Sequence, residues 1–151
     1  MYKLVAIEDD EGNIIPKIKI SENAAKITTP HSKGLPNLLP DTGKAEADLI
    51  CLRDEEIDFT QPLELFDPSA TWKRKVYTNI EAKELLVPIF LNGKRVYEVP
   101  ELQVSRAYCQ RQVDALWDEV KRFENPHNYY VDLSQKLWDI KQSLLNSHDM
   151  N

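Results

Sequence analysis

The stretch that most limits what this chain can fold into is residues 123–145, where Asn125-Pro126 separates two helical periodicities. The ring of Pro126 biases Asn125 away from helical dihedrals, so a helix arriving from the N-terminal side must stop there. That helix is predicted over residues 100–124, with Cys109, Val113, Leu116, Val120 and Phe123 on one face at steps of four and three. Beyond the break, Asp132 and Gln135 have capping-box spacing, the carboxylate taking an amide of the first turn and the glutamine reaching back. Leu133, Leu137, Ile140 and Leu144 then form a second apolar stripe. The reading is a terminal helical hairpin, with Trp117, Tyr129, Tyr130 and Trp138 as its packing residues.

Upstream of residue 100 the apolar period shortens to that of strands. Residues 1–7 and 14–20 read as a hairpin around the turn Asp9-Asp10-Glu11-Gly12-Asn13, with Ile18 and Ile20 opposite Lys17 and Lys19. Residues 21–44 are the least regular, punctuated by Thr29-Pro30, Gly34-Leu35-Pro36 and Pro40-Asp41-Thr42-Gly43. Residues 45–52 alternate as a buried-edge strand. Residues 63–66, closed by Asp67-Pro68, are expected to pair with 72–77. Residues 86–91 and 94–99 flank Asn92-Gly93, the sequence of a type I′ hairpin, and Pro88 puts that strand at an edge or bulge. The fold class is therefore α+β: an antiparallel, β-rich N-terminal two-thirds of hairpins followed by the two-helix hairpin. A length of 151 residues is one domain's worth and can bury a core. Its segments are 1–52, 53–99 and 100–146.

Charge narrows the function classes. A net charge of −6 argues against nucleic acid or an anionic membrane as a partner, since both require a basic excess. No apolar run approaches the roughly 18 residues of a membrane span. Cys51 and Cys109 stand in no metal-ligand spacing, which fits a reducing, cytoplasmic setting.

Candidate sites are few. Lys3, Lys17, Lys19, Lys26 and Lys33 lie in one short segment with Ser21, Thr28 and Thr29. Converging ammonium and hydroxyl groups suit a phosphate, although residue types alone favour a solvated strand face. Trp72-Lys73-Arg74-Lys75 reads as a strand with the tryptophan buried and the bases exposed. His31 and His127 lack a partner at ligand spacing, and His127 reads as a hydrogen-bonding residue near the helix turn. The acids at 8–11 and 54–58 read as solvated.

Four stretches carry a family resemblance in one order: YKLVAIED with PKIKISENAAKIT; TGKAEADLI; FDPSATWKRK through ELLVPIFLNGK; and NPHNYYVDLSQKLWDIKQSLL. Together they resemble the C-terminal end of bacterial nicotinate phosphoribosyltransferases. Members of that family are substantially longer, so the resemblance implies the C-terminal part of one, with the upstream barrel domain of the same enzyme as its first partner. It implies an intact enzyme that condenses nicotinate with phosphoribosyl pyrophosphate, coupled to ATP hydrolysis and with magnesium. The product is nicotinate mononucleotide, for NAD synthesis.

In the family this segment follows the glycine-rich phosphate-binding end of the barrel. Lys3, Lys19, Ser21, Lys26, Thr28 and Pro30 match its pattern, which implies that Lys3, Lys19, Ser21 and Lys26 lie at the substrate rim. The family's phosphorylated histidine has no match here, so no catalytic residue, metal or cofactor is assigned to this chain, and alone it is expected to be inactive. The rivals are a non-catalytic interaction module that homodimerises through the strand beginning near Tyr2, and a lysine-lined phosphate binder.

The pattern breaks once. His31 stands where the family has glycine, and Pro36-Asn37 where it has an aromatic-Arg pair. A proline cannot donate in a sheet interior, so residues 31–40 are expected to form a strained or poorly ordered loop rather than a central strand. Two compensating frameshifts in the coding DNA would produce such a bounded scramble.

Overall fold

A computed structural model describes residues 2–40 and 43–149. Its opening hairpin pairs β1 (Ala6–Glu8) with β2 (Ile14–Pro16). Both strands are shorter than predicted because the apolar residues beyond them pack on no sheet. Tyr2 and Leu4 are exposed. Asp9 closes the turn by accepting from the backbone N–H groups of Glu11 and Asn13. A single 3-10 turn, Ala24–Lys26, follows, capped by the Asn23 side chain.

The principal sheet contains β3 (Lys33–Gly34), β4 (Pro36–Pro40), β5 (Ala47–Leu52), β8 (Ile80–Glu84) and β11 (Tyr130–Leu133), and β5 lies between β4 and β11. The expectation of an irregular loop over 31–40 is overturned, because β4 is an interior strand flanked by β5 and β8. Gly34↔Cys51 and Asn37↔Asp48 belong to one register, so β3 and β4 are a single strand interrupted at Leu35. Pro36 costs the ladder its local N–H without shifting the register, and burial of Leu38 holds the strand in place. The alternation read over 45–52 is real, with Ala47, Leu49 and Cys51 inward, although the strand is central rather than an edge.

β6 (Leu63–Asp67) and β7 (Ala70–Tyr77) form the expected antiparallel pair. Asp67 turns the corner by accepting from the N–H and hydroxyl of Ser69. Trp72 is exposed, contrary to expectation. Leu38, Leu49, Leu65, Tyr77 and Ile80 fill the core between these strands, with Ile57 and Phe59 from the loop packed against it. β9 (Phe90–Leu91) and β10 (Lys94–Arg95) flank Asn92 and Gly93 at φ 48° and 74°, the two positive values a type I′ turn needs.

The helical hairpin is modified by a strand. Helix α1 (Leu102–Ala115) ends before the predicted Glu124 and buries none of its residues. Its last turn is taken up by the sheet: the Ala45 N–H donates to the Ala115 carbonyl at 2.8 Å, and Leu116 bridges Ala45. A ladder contact therefore overrides the helical period. Cys109 and Phe123 of the predicted stripe are exposed. A short α2 (Asp118–Lys121) and the left-handed Asn125, with φ 48°, lead into β11, which runs parallel to β5. The last helix is α3 (Gln135–Asp149), packed on β5. Asp132 is therefore a strand residue and not its cap. Ser134 is the cap, its hydroxyl accepting from the Leu137 N–H at 3.3 Å. The α+β class stands, with β11 joining the helices.

Candidate functional site

The lysine segment keeps its residues close together. Lys3 Nζ donates to the Lys26 carbonyl at 3.3 Å. Lys19 is tied through its backbone: its N–H donates to Thr28 Oγ1 at 2.8 Å, and the Thr28 N–H returns to the Lys19 carbonyl at 3.2 Å. Ser21 Oγ accepts from the Asn23 N–H just before the 3-10 turn. Lys17, Ile18, Lys19 and Ile20 border a groove of about 750 Å³ whose far wall is Leu144 and Ser147 of α3. Lys33 leaves the set. Its half-buried ammonium donates to the carbonyls of Thr29 and His31 at 3.0 and 2.6 Å, and burial lowers its pKa. That cation clamps the turn in which His31 holds φ 74°, at the position where the family pattern has glycine.

A second concavity was not legible in the sequence. Asp67, Lys73, Tyr130 and Asp132 line a cleft of about 600 Å³ that continues to His127 on one side and into a lobe with Leu65, Trp72 and Tyr77 on the other. Asp132 is 5% exposed, and desolvation together with the nearby Asp67 charge pushes its carboxyl up to about 6. Asp67, by contrast, is pulled down, chiefly by the Ser69 hydroxyl. The signal that could have corrected the capping assignment is Ser134, an equally good N-cap two residues later, after the alternating run into Leu133.

Other polar residues serve the frame. Asn37 donates to Asp48 Oδ1 at 2.8 Å and to Tyr129 Oη at 2.9 Å, and Tyr129 donates to Asp48 at 3.1 Å. This triangle joins β4, β5 and the entry to β11. The basic stretch on β7 is paired, Arg74 with Glu64 and Lys75 with Glu46. His127 stacks edge-on against Trp117, and its backbone N–H donates to the Glu119 carbonyl at 2.9 Å. Glu55, read as solvated, accepts from Ser134 Oγ at 2.6 Å. Among the described residues no three His, Cys, Asp or Glu side chains are grouped to hold a metal ion, and no helix is long and apolar enough to cross a membrane.

Residues 37–141 match the family described as the nicotinate phosphoribosyltransferase C-terminal domain. The chain belongs to that family. It is 39% identical over 142 residues to the nicotinate phosphoribosyltransferase of Bacillus subtilis, covering 93% of this chain and 29% of the relative. Against the human enzyme the identity is 31% over 148 residues, covering 97% of this chain and 26% of that one. The crystal structure of human nicotinic acid phosphoribosyltransferase superposes with a TM-score of 0.69 at 26% identity, over 78% of this chain and 24% of the other. The chain thus spans 24–29% of the length of these relatives. Lys3, Lys19, Ser21 and Lys26 lie before the first residue matched to the C-terminal domain family.

Proposed function

We propose that this chain is the C-terminal part of a nicotinate phosphoribosyltransferase, working with the upstream barrel domain of the same enzyme. That enzyme joins nicotinate to phosphoribosyl pyrophosphate in the cytoplasm, with ATP hydrolysis and magnesium, and yields nicotinate mononucleotide for NAD synthesis. The observation that carries this reading is the family match over residues 37–141. In this reading the chain supplies support rather than chemistry, because phosphoribosyl transfer needs charged groups pre-positioned around one reacting centre. The isolated chain is then inactive.

Lys3, Lys19, Ser21 and Lys26 form the rim that faces the phosphoribosyl pyrophosphate. The Lys3–Lys26 contact and the Lys19–Thr28 backbone pair support this assignment by keeping two ammonium stems on one small platform. An ammonium group acts there as a point charge on phosphate oxygen.

A chimera tests both parts. This chain replaces the matching C-terminal portion of the Bacillus subtilis enzyme, and formation of nicotinate mononucleotide is followed. Activity in the chimera and none in the separate chain is the expected result; a folded, soluble chimera without activity would overturn it. Within an active chimera, Lys3→Ala and Lys19→Ala should raise the KM for phosphoribosyl pyrophosphate several-fold with little change in that for nicotinate. Unchanged KM values would remove the rim assignment and leave the family reading intact.

A further inference from the structure

Asp132 is the one feature of the second cleft that neither folding nor the proposed function uses. It is 95% removed from solvent yet lines the cleft, and among the described residues no hydrogen bond or ion pair reaches its side chain. A largely buried carboxylate without a partner is costly, and is normally offset by a cation or by hydrogen bonds. Its charged neighbours do not provide this. Asp67 faces the same cleft with the same sign, and Tyr77 is a buried phenol. Three cations of β7 line the lobe, and each is engaged elsewhere: Lys73 acts on Asp67, Arg74 pairs with Glu64 and Lys75 with Glu46.

We propose that this cleft, bounded by β6, β7 and β11, binds an organic cation of the guanidinium or alkylammonium class, seated between Asp132 and Asp67. Two kinds of surface meet there. Asp132 supplies a carboxylate in a low-dielectric wall, where a charge-assisted hydrogen bond is strong. Tyr130 and Trp72, both partly or largely exposed, offer ring faces for a delocalised cation. A planar guanidinium matches both, donating to the carboxylate in its plane and stacking across it. The main volume, about 600 Å³, admits such a group with its aliphatic stem. A divalent ion is the weaker fit, for want of a third acidic or imidazole ligand among the described residues.

The test is a titration of the 151-residue chain, followed by amide chemical shifts, with methylguanidinium and with its uncharged shape-mate methylurea, at pH 7.5. Saturable shifts around Asp67, Tyr130 and Asp132 with methylguanidinium alone are expected. Asp132→Asn should weaken binding roughly tenfold or more, the loss of one charge-assisted hydrogen bond. Asp67→Asn, which keeps a side-chain oxygen to accept from Ser69, should weaken it less and keeps the test open if the first variant unfolds. Comparison with N-acetyl-arginine amide distinguishes the sources: stronger binding of this blocked arginine assigns a protein side chain, and its exclusion assigns a small free cation. Equal response to methylurea, absence of saturable shifts, or undiminished binding in Asp132→Asn or Asp67→Asn would overturn the assignment.

Discussion

Ser134 and Glu55, 79 residues apart in the chain, share a hydrogen bond of 2.6 Å in which the serine hydroxyl donates to the carboxylate. The same hydroxyl accepts from the Leu137 N–H, and the other reach of Glu55 is to the Leu52 N–H at 3.1 Å. One carboxylate thus fastens the end of β5 to the start of α3. Ser134→Ala removes both the cap and the bridge, and should cost about 1–2 kcal/mol in urea unfolding. Glu55→Gln in the Ser134→Ala background should add little, so a double-mutant cycle would show coupling between the two. Independent, additive losses would refute the linkage.

Asp132 sets a pH dependence of opposite sign to that of ordinary paired carboxylates. Its folded pKa of about 6 lies above the ordinary aspartate value of 3.8, because burial and the Asp67 charge disfavour ionisation. Between those values the folded state holds the proton and the unfolded state does not, so this group's contribution falls as pH rises and is lost above 6. The difference amounts to about 3 kcal/mol. Wild type minus Asp132→Asn, compared by thermal unfolding at pH 4 and pH 7, should show the variant gaining relative stability at the higher pH. A constant difference would rule out the shift.

His31 occupies left-handed backbone, φ 74°, that a side chain disfavours. Its N–H donates to the Val5 carbonyl at 2.8 Å and its carbonyl accepts from Lys33 Nζ, contacts that glycine would keep. His31→Gly should therefore stabilise the fold by about 1 kcal/mol. A loss of stability would mean that the ring's 3.2 Å hydrogen bond from Nδ1 to the Ser32 carbonyl outweighs the strain.

The two thiols should react unequally. Cys51 is buried in the core and its thiol is pushed up to about 11, by desolvation first and then by the charges of Glu55 and Glu84. Cys109 lies exposed on α1. With a chromogenic disulfide reagent at pH 8, one thiol should react rapidly in the native chain and the second only on addition of urea. Rapid loss of both in native buffer would contradict the core position of Cys51.

Residues 86–104 leave Phe90, Val99 and Leu102 largely open to solvent, and Tyr2 and Leu4 of the N-terminal segment are exposed as well. Apolar exposure on this scale favours association. The separate chain should sediment above its monomer mass at tens of micromolar, and Phe90→Lys with Leu102→Lys should shift it toward monomer. A wild-type chain that is monomeric throughout that range would exclude the effect.

Local chemistry was enough to place several elements. Asn92-Gly93 specified its own turn, because two left-handed residues in succession suit little else. Alternation placed Ala47, Leu49 and Cys51 inward, and the four-three stripe placed Leu137 against the core. The family, too, was carried by stretches of sequence that the comparisons bear out. Other features depended on contacts between distant residues. Pro36-Asn37 argued for a loop, yet β4 is interior because β5 and β8 supply hydrogen bonds on either side while Leu38 fills the core. The stripe through Cys109 and Val113 argued for a buried helix, yet α1 packs no buried residue, since the Ala45 ladder ends the helix and turns the chain away. Asp132 passed for a cap until β11 placed it in a parallel ladder with β5 and left its carboxyl facing Asp67. Propensity and spacing act over a few residues; the partner of a strand, and the burial of a charge, are decided by residues far along the chain.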